Sequence, residues 1–561
     1  MQIVSPKQMA EIENRSEEIG ISKRQLMENA GKALAGIIDE YCRKEPDISP
    51  EEKSIVFLAG KGNNGGDCFA AANNLIYRGY RITIISVGGK PVSELAAEMY
   101  DRLIPADRVE FIDGYRSETV EAALEAAELD YMTIQQYRES SAMDEIVQKE
   151  QQRIRAVRGA ILRAYVIVDG VFGTGFHGQL DSETASIFAI GSGAYRISVD
   201  VPSGGNSTTG TVSNGIFKAD ETVTFGFLKT GMTQFPLKKY CGKVTIADIG
   251  LPCRAVDVIE GERRYYRIER NQLAAFPPKR ERDAYKSNFG NILVIAGSSS
   301  MRGAAAFTAL GALRSGAGLV RVASVEKCID TVAALVPEAT YIELESDDFG
   351  YMLYDSSRTV LMDAIEKADA VVIGCGMGVT PDTAEITRLV AENAKCPVII
   401  DADGINCIAS DIDILVKKQT EIVITPHVGE MARLLGCESS AVMDDRIGTA
   451  ERFAEEHGIT VVLKGAGTVV ADSRNTAANH TGNAGMSVGG SGDILAGMIG
   501  AMAAQGSSLF DSVCAGVYMH GLAGDAAADK LGQESMLPRD IINSLPDAFR
   551  IFKEKKNHTI Q

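Results

Sequence analysis

Apolar residues recur along this chain in short β-branched runs that end in glycine, aspartate or serine, with helical patterns between them. SIVFLAG (54–60) is the first such run; a glycine loop, the helical CFAAANNLIYRG and a second run, RITIISVG (81–88), follow it. Strand, helix and strand at this spacing predict a βαβ unit in a parallel sheet. Ahead of it, 5–19 and 22–41 predict two helices, the second carrying ENAGKALAGII on one face. AYVIVDGVFGTG (164–175), YRISVDVPSG (195–204), ETVTFGFLK (221–229) and GKVTIADIGLP (242–252) predict further strands. The polar stretch from about 115 to 160 has a helical pattern, is longer than a crossover needs, and predicts an inserted or lid helix.

From 253 to 285 the chain is charged and without a clear period, which marks a domain boundary. A second alternation begins at GNILVIAGSS (290–299) and continues through GLVRVAS, ADAVVIGCGMG, CPVIIDADG, EIVITPHVGE and ITVVLKGAGTVVA. The expected fold class is α/β, with two three-layer αβα domains. Their expected extents are 1–252 and 265–561, joined by a linker at 253–264. Each strand hands its C-terminal end to a loop of polar residues and glycine, which is where open α/β sheets bind ligands.

Length changes this picture little, since 561 residues exceed one ordinary core and imply more than one domain. The formal net charge of −18 argues against nucleic acid or an anionic membrane as a bulk partner. No apolar run is long enough to span a bilayer, and the N-terminus shows no secretory pattern. Ten scattered cysteines without a CxxC pair, and only 6 His, argue against zinc and point to a reduced, cytoplasmic protein.

The most informative stretch is NHTGNAGMSVGGSGDILAG (479–497). Gly489, Gly490 and Gly492 lead to Asp493, after which an apolar helix begins. Free amides and the positive helix end make such a turn an anion site, and an acid within it can take a proton from a hydroxyl. Asp493 alone is equally explained as a helix cap. KGAGT (464–468) follows a β-branched strand, so its glycines can lie against a phosphate or ribose while Lys464 supplies charge. His427 follows a strand and Pro426, a place that also suits a merely packed histidine. Glu430 opens the next helix as a dipole partner, and a magnesium-linked role stays open.

In the N-terminal half, Gly60-Lys61-Gly62-Asn63-Asn64-Gly65 is a literal GxGxxG between strand and helix. A dinucleotide fold of the dehydrogenase kind needs an acid at the end of the next strand, where this chain has Ser86-Val87-Gly88-Gly89. The surplus polar groups point elsewhere. Asn64, Asp169 and Ser203 each follow a strand and offer hard oxygen ligands for a cation. Asp67 and Asp200 are candidates for proton transfer at the same mouth, although asparagine and aspartate also close turns and cap helices routinely.

GKGNNGGD, VDGVFGTGFHG and SVDVPSG, with the MENAG element at 27–31, resemble the NAD(P)H-hydrate epimerases over about residues 1–250. The resemblance implies a Rossmann-like domain that binds the hydrated dinucleotide and a potassium ion. Asn63, Asn64, Gly65, Gly66, Asp67, Gly173, Thr174, Gly175, Phe176, His177, Gly178 and Asp200 would contact substrate. Asn64, Asp169 and Ser203 would hold potassium. Acid-assisted loss and return of a hydroxyl on the carbon beside nitrogen would invert that centre. Cys68 departs from the family, which usually has glycine there.

AYKSNFGNILVIAGS, GAGLV, GCGMG, TPHVGE, KGAGT and 479–497 resemble, in order, the ADP- or ATP-dependent NAD(P)H-hydrate dehydratases of the ribokinase-like superfamily, over about 265–555. By that resemblance Lys464, Gly465, Ala466, Gly467, Thr468 and Gly492 line ADP or ATP, accompanied by Mg2+. Ala304, Gly378, His427 and Asp493 would face the hydrate. Asp493 would deprotonate the hydroxyl for attack on the terminal phosphoryl, and loss of phosphate would restore the ring double bond. Ala484 replaces the usual proline of TGNPGM, and SSSMRGA lacks the tyrosine common before GA. Together the halves imply a bifunctional repair enzyme, isomerase and lyase, for NADHX and NADPHX, with Asp493, Asp200 and Asp67 catalytic. Fusion would ensure that both epimers are repaired, and a homo-oligomer is expected. The alternatives are a ribokinase-like small-molecule kinase with an accessory dinucleotide-binding domain, and an N-terminal half that only binds.

Overall fold

A computed structural model describes the chain except residues 104–106, 114–140, 258–262, 274–275, 507 and 555–561. It divides into two compact units, Gln2–Gly261 and Glu262–Gln561.

In the first unit the predicted strands form at β2 (Ser54–Ala59), β3 (Arg81–Ser86), β5 (Val166–Gly170), β6 (Tyr195–Val199), β7 (Glu221–Phe225) and β9 (Lys243–Ala247). Sequence patterning did not announce β1 (Gln2–Val4) or β4 (Val109–Asp113), and the run predicted at 221–229 divides into β7 and the short β8 (Leu228–Lys229). The main sheet has seven strands in the order β4-β3-β2-β5-β6-β7-β9, all parallel. Alternate strand residues enter two separate cores: Ile55, Phe57 and Val168 in one, Val56, Leu58 and Ile167 in the other. This is the period-2 signature of a sheet covered on both faces, a three-layer arrangement. Chain order reverses direction between β2 and β5, so the switch-point crevice lies at their C-terminal ends.

The predicted N-terminal helices are Pro6–Glu18 and Lys23–Cys42, each started by a serine whose hydroxyl accepts an amide from the first turn. The expected lid helix lies, from 114 to 140, outside the described residues. Its later part lies in the helix Ser141–Arg163. Val157, Ala160 and Ile161 are buried against Val56, Ile85 and Ile167, so the C-terminal end of this helix packs on the sheet as it leads into β5.

The second unit orders its strands β13 (Thr340–Leu344), β12 (Leu319–Val325), β11 (Asn291–Ile295), β14 (Ala370–Ile373), β15 (Val398–Ile400), β16 (Ile422–Ile424) and β17 (Thr460–Leu463), all parallel. Beyond them β18 (Val469–Ala471) and β19 (Asn475–Ala478) are antiparallel. The aperiodic charged stretch holds a strand, β10 (Arg264–Arg267), which pairs in parallel with β19. The central strands are buried at every position from β14 through β17, so both faces of the sheet are covered. Here the switch point falls between β11 and β14.

Candidate functional site

In the first unit, β2 runs through Gly60-Lys61-Gly62 into the helix Asn63–Ile76. A Cβ on Gly60 would lie 2.0 Å from Val171 O, and one on Gly65 2.1 Å from Gly60 O, so glycine at both lets the helix seat directly on the strand ends. The first turn of that helix and the loop after β5 line a cavity of about 650 Å3. Asn63, Asn64 and Asp67 line it from the helix; Gly173, Thr174, Gly175 and Phe176 do so from the loop, and Asp200 from the end of β6. Four expected contacts are elsewhere. Gly65 and Gly66 are buried packing positions, a Cβ on Gly66 falling 2.7 Å from Met27 Cε. His177 is exposed, with Nδ1 3.4 Å from Asn206 Nδ2, and Gly178 (φ 92°) turns the chain beside it.

Carboxyls gather at this cavity. Asp67 accepts no hydrogen bond among the described residues; burial, then the charges of Asp200 and Glu13, push its carboxyl well above the ordinary range. Burial and Asp200 raise Glu13 as well. Lys229 opposes both shifts and forms an ion pair with Asp200. Glu13 and Lys229 were missed in the sequence, where nothing distinguishes a glutamate on an amphipathic helix or a lysine after a strand.

Behind the carboxyls, oxygens converge around Phe172. Asn64 Nδ2 donates to Phe172 O (3.0 Å) and Val199 O (3.2 Å). Ser203 Oγ accepts from Phe172 N (2.8 Å) and donates to Phe172 O (3.1 Å). Asp169 is fully buried and accepts from Ser203 N (2.9 Å), Ser198 Oγ (3.1 Å) and Val171 N (3.3 Å). Burial pushes Asp169 up to about 6, against the pull of these bonds. A buried carboxyl held by neutral donors, beside an amide and a hydroxyl oxygen, is a donor set that suits a hard cation.

In the second unit four strand ends, β14 to β17, meet a helix N-terminus. Asp401 follows β15 and is buried; its Oδ1 accepts from Lys464 Nζ (2.6 Å) and Thr425 Oγ1 (2.6 Å), its Oδ2 from Cys375 Sγ (3.5 Å). Lys464 follows β17 and also lies 3.9 Å from Glu430. Asp493 occupies the first turn of the helix Ser491–Ala503, whose N-cap is Gly490 at φ 102°. Burial, and then Asp401, push Asp493 up to about 6. One oxygen each of Asp401 and Asp493 and the Cys375 sulfur lie within 4.8 Å of one another. A Cβ on Gly492 would lie 3.2 Å from Lys464 Nζ, so the glycine keeps the helix entrance open beside the ammonium.

KGAGT is the turn between β17 and β18, and a buried arginine grips it. Arg446 donates to Ala466 O (2.7 Å), Leu463 O (3.1 Å), Lys464 O (3.3 Å) and Gly467 O (3.4 Å), while Thr468 Oγ1 donates to Gly465 O (2.9 Å). Ala304 lies in the first turn of the helix after β11 and meets the loop after β14, where a Cβ on Gly376 would fall 2.8 Å from its own Cβ. Gly378 (φ 80°) lies against the Tyr351 ring and donates its amide to Asp403 (2.9 Å). His427 is the N-cap of Val428–Leu435; its Nδ1 accepts from Gly429 N (2.9 Å) and Glu430 N (3.3 Å), while Glu430 accepts from His427 N (2.7 Å). Asp401, Cys375 and Arg446 were not singled out in the sequence. Asp401 carried the available signal, an aspartate closing a buried strand in CPVIIDADG.

Residues 23–231 match the family described as YjeF-related protein N-terminus, and 292–547 the family described as NAD(P)H-hydrate dehydratase. The bifunctional NAD(P)H-hydrate repair enzyme Nnr of Moorella thermoacetica is 31% identical over 99% of this chain and 98% of its own. The Escherichia coli enzyme of the same description is also 31% identical, over 96% and 92%. The chain belongs to the bifunctional NAD(P)H-hydrate repair enzymes. Among solved structures, the ADP/ATP-dependent NAD(P)H-hydrate dehydratase of Bacillus subtilis, co-crystallised with ATP/Mg2+, is 28% identical over 51% of this chain and 98% of its own, at a TM-score of 0.45. In this repair-enzyme chain the two matched segments fall one in each compact unit.

Proposed function

We propose that the chain returns both epimers of hydrated NADH and NADPH to the intact cofactors, residues 1–252 interconverting R and S forms and 265–561 dehydrating the S form with ADP or ATP, with 253–264 between them. The observation that carries the second step is Asp493, poised near neutrality at a helix N-terminus beside the Lys464–Asp401 pair. Its carboxylate takes the hydroxyl proton, and the oxygen attacks the terminal phosphoryl. The bond to the bridging oxygen breaks, releasing AMP from ADP or ADP from ATP. Lys464, Gly492 and the helix amides offset the charge of that transfer. Phosphate then leaves with the carbon–oxygen electron pair, and loss of a proton from the neighbouring carbon restores the ring double bond. Gly465 to Thr468 line the nucleotide; Ala304, Gly378 and His427 face the hydrate. Magnesium, brought by the phosphates of the nucleotide, would offset their charge during transfer.

For epimerisation, Asp67 in its protonated form gives its proton to the departing hydroxyl, the ring nitrogen supplies the electrons, and water leaves. Water returns on the opposite face and gives its proton to Asp200, and proton exchange through water then restores protonated Asp67 and ionised Asp200 for the next turnover. Asn63, Asn64 and the loop Gly173–Phe176 line the cavity around the substrate, with Gly65, Gly66, His177 and Gly178 supporting that wall. Asn64, Asp169 and Ser203 would hold potassium, which would supply a fixed positive charge among the strand-end loops. A cytoplasmic homo-oligomer completes the proposal; the ten free cysteines fit a reducing compartment, and no helix among the described residues is long and apolar enough to cross a membrane.

The test is recovery of reduced-nicotinamide absorbance from a mixed-epimer hydrate with magnesium, potassium and either ADP or ATP. Complete recovery supports both steps and identifies the donor. Recovery of one epimer only removes the epimerase proposal, and a stable phosphorylated product would favour a small-molecule kinase.

A further inference from the structure

Lys229 has no part in the chemistry above, yet it is the most completely enclosed charge in the epimerase cavity, its side chain 1% exposed. An ammonium has three donors, and here each has an acceptor: Asp200 Oδ1, Thr224 Oγ1 (3.0 Å) and Phe225 O (3.0 Å). Asp200 is held by the same short segment. Its backbone sits at φ 63°, and its Oδ1 accepts Thr224 Oγ1 (3.0 Å) and Phe225 N (3.2 Å) as well as the ammonium. Oδ2 accepts no hydrogen bond among the described residues, and Asp200 lines the cavity. One carboxylate oxygen is thus tied by three donors while the other is left for whatever enters.

We propose that Lys229 is the positioning residue of epimerisation: it clamps Asp200 Oδ1 and so presents Oδ2 to the hydroxyl or water exchanged at the hydrate carbon. This rests on the epimerase function proposed above. The groups sharing the cavity with Asp200 are Glu13 and Lys23 from the N-terminal helices, Lys61 and Asp67 from the glycine loop and its helix, and Asp181 beyond β5. Three of these are carboxyls, and Lys229 is the buried cation facing them. A lysine that only braced the loop would affect folding but not the rate at saturating substrate.

The test uses the full chain without adenine nucleotide, following R-to-S conversion of NADH hydrate by chromatography in potassium buffer. For Lys229→Met, kcat should fall about 100-fold, the scale of a misplaced reacting group, with KM little changed. The alkaline limb of the pH profile should also move upward, because Asp67, which acts in its protonated form, loses the cation that opposes its raised value. Lys229→Arg keeps the charge but replaces a three-pointed donor by a planar one, so its kcat should lie between the two. Dehydration of the S hydrate with nucleotide, and the thermal transition, report folding in the same samples. Wild-type kcat and pH profile in Lys229→Met would overturn the proposal. Should that variant not fold, a folded Lys229→Arg with unchanged kcat would overturn it equally. Absence of epimerisation by the unaltered chain would instead remove the epimerase function itself.

Discussion

Lys464 and Asp401 form a 2.6 Å ion pair although they end strands separated by β16. Burial alone would raise the Asp401 carboxyl, but Lys464, then hydrogen bonds from Lys464, Thr425 and Cys375, hold it below its ordinary range. Lys464 is raised in turn, burial being outweighed by Asp401 and Glu430. Burial, and then that fixed charge, drive the neighbouring Asp493 the other way, to about 6. Two carboxyls of one site are thereby separated into a permanent anion and a group that exchanges its proton near neutrality.

Removing one partner of this pair should be severe. Asp401→Ala leaves a largely buried ammonium without its anion, a change that costs about 3–5 kcal/mol. Denaturant unfolding should register that loss above pH 5. Because the folded value of Asp401 is depressed, its contribution exists above the unfolded value and disappears as pH falls through the folded one. Wild type and variant should therefore converge in acid; a constant difference down to the lowest pH would contradict this account.

Asp493 predicts the opposite sign for catalysis. As the base it must be ionised, so kcat/KM for dehydration should rise with pH through about 6 and level above it. Its ionisation also weighs against folding between the unfolded value and 6, so activity is gained where a little stability is lost. Asp493→Asn should abolish phosphoryl transfer while nucleotide binding, followed by calorimetry, persists. A rate limb unmoved from the ordinary carboxylate range would remove Asp493 as the base.

Much of this was legible in the chain because the central strands of both sheets are parallel and buried. Runs such as SIVFLAG and ITVVLKG announce strands, and polar residues just beyond them fall at the ligand-binding edge. Asn64, Asp169, Asp200 and Lys464 were singled out that way, and Asp493 from the glycine-rich turn that opens a helix. Asp401 was equally placed, but its importance depends on the order β14-β15-β16-β17, which sets Cys375, Thr425 and Lys464 around it. Lys229 sits on a two-residue strand held by pairing with Ile3 and Val4, a contact no local pattern carries. Arg446 opens an unremarkable helix and acts only because the KGAGT turn folds over it. The glycines at 65 and 66 are packing positions in the structure, and Asn63, Asn64 and Asp67 beside them line the cavity.

Arg446 gives a clean separation of substrates. Burial lowers the guanidinium to about 10, so it remains charged at neutral pH, and it spends its donors on carbonyls of the turn. Bonds from a charged donor contribute about 1.5–3 kcal/mol each. Arg446→Met should loosen the turn and raise KM for the nucleotide about tenfold or more, equivalent to 1.4 kcal/mol or above. KM for the hydrate should not move. Equal changes in both would mean that the arginine supports the whole fold instead of the nucleotide turn.

Potassium provides the last test, through proton linkage. Asp169 can serve a cation only as a carboxylate, and burial has lifted it to about 6 despite bonds from Ser203, Val171 and Ser198. A cation binding there must therefore displace a proton whenever the pH lies below that value. The potassium concentration giving half-maximal epimerisation should be flat above neutrality and should rise towards tenfold for each unit of pH below about 6. Asp169→Asn should lose both the potassium response and its pH dependence, whereas Ser203→Ala, which removes a neutral oxygen, should weaken the response but keep its pH slope. If potassium activates Asp169→Asn as strongly as wild type, the ion binds elsewhere and the oxygens around Phe172 serve only to join the loops after β5 and β6.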